Sequence, residues 1–167
     1  MAMVGLFWIA EGDVYVGAKP SGTNLGVRLS HEGVVALGDG QSGFYPWQDV
    51  RALTVQSAPV KTVRRRIGAV VDLAMTGLTG WVDESPPLMA LHVERPTGKD
   101  ELWAYTAAVA GYSETELDLS RTLLARLTEG AATMSTTLAA MSEWGRSWEG
   151  GTPRETERER LLRAWLD

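Results

Sequence analysis

Four cations stand close together at Lys61, Arg64, Arg65 and Arg66, immediately ahead of the apolar-periodic run Ile67 to Leu78. Positive charge at the start of a helix opposes the macrodipole, which favours anions there, so this placement invites an anionic partner. Backbone amides and guanidinium forks together suit phosphate, and a basic helix with an apolar face suits anionic lipid headgroups. The competing reading is that the apolar face packs on the domain while the arginines pair with Asp83, Glu84 or other carboxylates. Other chemistry is thinly represented. The two histidines, His31 and His92, have no second histidine at helical or strand spacing, which speaks against a metal site or a general base. Gly38-x-Gly40-x-x-Gly43 matches the dinucleotide fingerprint in letters, but Phe44-Tyr45-Pro46-Trp47 follows it and opens no helix to hold a pyrophosphate. A turn is the better reading. No Gly-x-Ser-x-Gly elbow is present, and Asp83-Glu84 beside Pro86-Pro87 reads as a solvated loop.

Composition narrows the classes further. The 167 residues contain no cysteine, which removes thiol nucleophiles, disulfides and cysteine-ligated zinc. A net charge of −5 argues against a protein that wraps nucleic acid, and no aromatic residue is interleaved with the cations between Pro59 and Gly80 to stack single-stranded bases. The cations comprise 13 Arg and 3 Lys, a bias suggesting a GC-rich, actinobacterial-type genome. The first ten residues lack a basic n-region, and no run of about 18 apolar residues exists, so neither a secretory signal nor a membrane span is expected. A cytoplasmic protein without cofactors or metals, peripheral to a membrane at most, is the expectation.

The elements that must position these residues are mostly short strands. Leu6 to Gly17 reads as one strand, split or bulged at Gly12; Val27 to Ser30 and Val34 to Leu37 form a hairpin around His31-Glu32-Gly33, with Gly33 free to take positive φ. After the turn Gly38 to Gly43, an aromatic-proline turn runs into a strand from about Val50 to Gln56. Between Val60 and Leu78 the spacing changes to three and four, predicting an amphipathic helix of roughly fifteen residues. Pro87 to Arg95 and Glu101 to Tyr105 form a second hairpin. Ser113-Glu114-Thr115-Glu116 reads as a capping box opening a helix that stops at Gly130. A helix from about Met134 to Trp148 follows, its stripe of Met134, Leu138, Met141, Trp144 and Trp148 expected to pack within the chain. Thr152-Pro153-Arg154-Glu155 reads as a second capping box before a final Arg/Glu-rich helix ending in Trp165-Leu166.

Val27-Arg28-Leu29-Ser30-His31-Glu32-Gly33-Val34 and Tyr45-Pro46-Trp47-Gln48-Asp49-Val50, with the helix from Ser113 to Thr128, resemble bacterial pleckstrin-homology-like (PH-like) proteins. The resemblance implies an α+β fold: a PH-like antiparallel β-barrel or sandwich closed by a helix, spanning 1–130 with a helical insertion at about 60–80. Residues 131–167 would be a C-terminal helical extension. Another small antiparallel barrel or an α+β sandwich is the runner-up. The family implies a binding scaffold and not a catalyst. The loop after the first strands carries Lys19 without the Lys/Arg-rich pattern of inositide-binding members. The reading is therefore a non-catalytic adaptor engaging a protein partner or a second copy, with Trp144, Trp148, Trp165 and Leu166 as the candidate interface. Its alternative is peripheral membrane or anionic phospholipid binding through Lys61, Arg64, Arg65, Arg66 and Lys19. A small hydrolase is disfavoured by the missing nucleophile–base pair.

Overall fold

The computed structural model describes residues 2–56, 58–60, 87–108 and 111–167. The expected helix at 60–80, with Lys61, Arg64, Arg65 and Arg66, and the Asp83-Glu84 loop lie outside the described residues, apart from Val60. Within them the chain is α+β. Six strands, β1 (Ala2–Val4), β2 (Phe7–Ala10), β3 (Asp13–Val16), β4 (Gly26–Leu29), β5 (Gly33–Leu37) and β6 (Gly43–Pro46), form an antiparallel meander in that order. A second antiparallel sheet holds β7 (Ala52–Gln56), β8 (Leu88–Arg95) and β9 (Gly98–Tyr105). Three helices follow: α1 (Glu114–Leu127), α2 (Ala131–Ser147) and α3 (Glu155–Leu166). The expected closed barrel is not formed among the described residues, because the strands divide into these two sheets.

The sheets meet the helices in one hydrophobic cluster, and β1 to β3 are buried on both faces, Met3 and Tyr15 included. Phe7, Ile9, Val14, Val16, Val27 and Val34 from the first sheet join Leu53, Met89, Leu91, Val93 and Leu102 from the second. Leu117, Leu123, Leu124, Leu138, Met141, Leu161 and Leu162 complete it from all three helices. Residues 131–167 thus share the core of the strands. Nearly complete burial of each such side chain contributes roughly 1.5–3 kcal/mol relative to exposure, an upper bound before ordering entropy is subtracted.

Four readings of local structure change. The span Leu6 to Gly17 is a hairpin, not one strand: Glu11 (φ 54°) and Gly12 (φ 90°) are both left-handed and form a two-residue turn between Ala10 and Asp13. Such a turn is ordinarily marked by Asn-Gly or Asp-Gly, so glutamate at the first position hides it. Gly33 does not take positive φ; it starts β5 opposite Pro46, and a Cβ there would collide with the Tyr45 carbonyl. Close backbone approach requires the glycine. The aromatic-proline segment is itself strand β6, followed by a single 3-10 turn, Trp47–Asp49, before β7. Finally, Thr152 caps nothing. α3 starts from Arg154 without a side-chain cap, and the Thr152 hydroxyl instead accepts from the Met3 amide at 3.2 Å.

The Ser113 box holds in half. Ser113 Oγ accepts from the Glu116 amide at 3.1 Å, but the Glu116 carboxylate turns into the interior. There it receives Arg158 in a fork, Nε to Oε1 at 2.6 Å and Nη2 to Oε2 at 3.1 Å, while Nη1 donates to the Pro153 carbonyl at 2.6 Å. Glu116 is fully buried and Arg158 nearly so. This pair ties α3 to α1. A buried pair is strong evidence only against removing one partner, since the charge left behind has no water. The seam between the sheets is held by Gln41. Its amide donates to the carbonyls of Gly26, Leu37 and Trp103 and accepts from the Trp103 amide at 2.7 Å.

Changing Glu116 to Gln or Arg158 to Met should each cost about 3–5 kcal/mol in urea unfolding, whereas the double change Glu116→Leu with Arg158→Met should recover most of that loss. Gln41→Ala, which leaves the Trp103 amide and carbonyl unpaired at the seam, should cost about 2–3 kcal/mol in the same measurement. Loss within experimental error for either set would remove the role assigned to it.

Candidate functional site

A groove of about 620 Å³ lies where the β4–β5 turn, β6 and the 3-10 turn face the α1–α2 connection. His31, Phe44, Trp47 and Val50 line one wall, and Leu127, Ala131 and Met134 the other. The sequence builds the first wall tightly. Ser30 Oγ donates to the Gly33 carbonyl and accepts from its amide, closing the turn that carries His31. Trp47 Nε1–H then donates to the Ser30 carbonyl at 2.6 Å, and its backbone amide to the Glu32 carbonyl at 3.4 Å. The indole is therefore a fixed wall with its polar atom already occupied.

Phe44 is the exception to economical burial. Half of it (50%) is exposed, the largest exposure of any big apolar side chain described. Its strand neighbour Tyr45 points the other way, toward the second sheet, where the Arg95 guanidinium lies 5.2 Å from its ring centre. Burial first, then the hydrogen bond to Asp100, push the Tyr45 phenol above its usual range. Arg95 and Asp100 pair at 2.6 Å beside it. β6 is an edge strand among the described residues, and Pro46, which has no N–H to offer, sits on it. A proline on a four-residue edge discourages strand addition. An occupant of this groove would be held by side chains.

The residues singled out from sequence fall in different places. Lys19 is exposed in the β3–β4 connection, and Lys61, Arg64, Arg65 and Arg66 lie outside the described residues. Trp144, Trp148 and Trp165 come together, but chiefly on one another: Trp144 and Trp148 stack with ring centres 5.4 Å apart, and Trp165 meets Trp144 edge-on at 5.8 Å. Trp148 Nε1–H donates to the Gly151 carbonyl at 2.9 Å, Trp165 is buried, and Leu166 is half-buried. The Met134–Met141 part of the stripe is buried within the chain, as its spacing predicts. His92 pairs across strands with Glu101 at 2.8 Å, and His31 is exposed. Gly38 (φ 120°) and Gly40 (φ 74°) serve the turn from β5 to β6. Among the described residues no group of three His, Asp or Glu side chains is disposed to hold a metal, and no helix is long and apolar enough to cross a membrane.

Sequence reasoning passed over Phe44 as a site residue. The available signal was register: once Gly38 to Gly43 is a turn, Phe44 must lie opposite Val35, on the face away from Val34 and Ala36. Trp47→Phe keeps the wall but removes the donor to Ser30. It should cost about 1–2 kcal/mol in thermal or urea unfolding and loosen the His31 turn, read as faster amide exchange at Gly33. Unchanged exchange there would show that the indole bond does not hold the turn.

No family model, no curated protein and no solved structure matches this chain.

Proposed function

We propose that the protein is a non-catalytic binding module on a PH-like scaffold, engaging a protein partner through the Phe44 groove. The observation that carries this is Phe44 itself, half exposed at the lip of a groove whose walls are otherwise fixed by hydrogen bonds and core packing. A large aromatic side chain left in water beside a preformed apolar hollow has the composition of an interface anchor. The scaffold reading is supported by the antiparallel meander, the second small sheet and the amphipathic helix α1 that follows it. The histidines and carboxylates described are dispersed or held in pairs, His92 with Glu101, Asp100 with Arg95 and Glu116 with Arg158, which favours binding over chemistry.

A photo-crosslinking residue placed at position 44 should trap a discrete protein adduct in cells, while the same residue at exposed Thr122 on α1 should not. Sedimentation of the purified chain, wild type against Phe44→Ser, separates a second copy from a different partner. Equal crosslinking at both positions would defeat the proposal. So would flotation of the wild-type chain with anionic vesicles that persists in Phe44→Ser and vanishes when Arg64, Arg65 and Arg66 are changed to Ala; that result would support the membrane alternative.

A further inference from the structure

Besides Phe44, two large apolar side chains are left exposed among the described residues, and both lie on the second sheet. Leu88 (39%) faces half-buried Tyr105 across β8 and β9, and Trp103 (36%) faces Ala90 two residues along. Strand alternation puts all four on the face turned away from Leu91, Val93 and Leu102. The main chain beneath the Trp103 ring is fixed, since Gln41 pairs with both its amide and its carbonyl. Beside it, the turn from Gly38 to Gly43 and β9 enclose a groove of about 530 Å³ whose lining includes Asp39, Ser42, Tyr45, Asp100, Glu101 and Trp103. It shares no lining residue with the Phe44 groove. Its charges do not balance. Three carboxylates line it, with no lysine or arginine. Arg95 matches Asp100 at 2.6 Å. Glu101 has the His92 imidazole at 2.8 Å and keeps 49% of its side chain in water. Asp39 is exposed, and its carboxylate has no partner among the described residues.

We infer that this groove is a second docking surface, for a partner protein's segment that presents an arginine or lysine beside an apolar side chain. The inference keeps the binding reading above but uses none of the Phe44 groove. The cation lies over the Trp103 ring, whose face is the negative part of its quadrupole, and meets the Asp39 and Glu101 carboxylates. Leu88 and Tyr105, on the same sheet face, take the apolar side chain. Charge decides among the occupants. Nucleic acid and anionic lipid are repelled by the carboxylates, and a second copy brings a further net charge of −5 toward them. A concave site with surplus carboxylates instead gathers cationic segments and speeds their encounter.

Selection of displayed random linear peptides on the full-length chain tests this, with the Phe44→Ser chain as bait in a parallel arm. Enriched sequences in both arms should carry Arg or Lys beside an aromatic or branched aliphatic residue. A synthetic peptide of that kind should bind at least about tenfold more weakly to Trp103→Ala and to Asp39→Lys. Its binding should weaken with salt, and should return on Asp39→Lys when its cation becomes Glu. Asp39 is exposed on a turn, so this reversal tests charge without touching the core. Enriched peptides without a cation, or binding equal in wild type and Asp39→Lys, would overturn the inference. Peptide binding lost in Phe44→Ser but kept in Trp103→Ala would also overturn it and leave the Phe44 groove as the binding surface. Enrichment that appears only once Arg64, Arg65 and Arg66 are changed to Ala would assign the groove to the chain's own cations. Salt-sensitive dimerisation in sedimentation that Trp103→Ala abolishes would assign it to a second copy. Either result would overturn the partner assigned here.

Discussion

Main-chain hydrogen bonding at the places where the sheets end is the constraint on which this structure depends. A short-stranded protein has many strand ends and edges, and a buried amide or carbonyl left without a partner costs about 1–3 kcal/mol. Side chains far away in sequence meet that need here. Ser120 accepts from Leu6, Thr152 from Met3, and Ser142 donates to Gly12, each from a helix or its approach to the first sheet. Gln41 does the same where the two sheets abut, replacing the ladder they do not share. These contacts fix how the helices sit. Gly5 and Gly145 add to this by allowing close approach: a side chain at Gly5 would overlap Ser120, and one at Gly145 would overlap Ile9.

The Glu116–Arg158 pair has a different character. It lies where α1 and α3 cross, and its net contribution over an apolar pair of the same volume is small. Its consequence is specificity of docking. With Leu161, Leu162 and Trp165 on one face, α3 could slide along α1; a guanidinium forked onto one buried carboxylate and one carbonyl admits a single register. A helix of mostly Arg and Glu, which reads as a solvated face, is thereby part of the core.

The same economy has few exceptions. Inward residues of both sheets are almost wholly buried, and most tryptophans have found a ring or an acceptor. Two groups stand apart: the Trp8 indole donor is buried without an acceptor, and the Phe44 ring is half in water.

The sequence alone determined whatever depends on near neighbours in the chain. Ser113 three residues before Glu116 starts α1, the stripe Met134, Leu138, Met141 buries one side of α2, and the Pro96-Thr97 turn joins β8 to β9, because capping, helical periodicity and turn chemistry are local. Tertiary structure decided the rest. Glu116 and Thr152 have the right spacing for capping boxes, yet the Glu116 carboxylate, while accepting from the Ser113 hydroxyl, is forked by Arg158, and Thr152 bonds to Met3, partners that only the packed chain brings near. Gly33 is needed for a neighbouring carbonyl and not for its own φ, and Glu11 is held left-handed because the strands on either side of it pair. The cross-sheet row Met3, Trp8, Tyr15, Arg28, Val35 and Phe44 is likewise invisible in sequence. Its members are spread from residue 3 to residue 44 and become neighbours only through five successive strand registers, which local sequence does not encode.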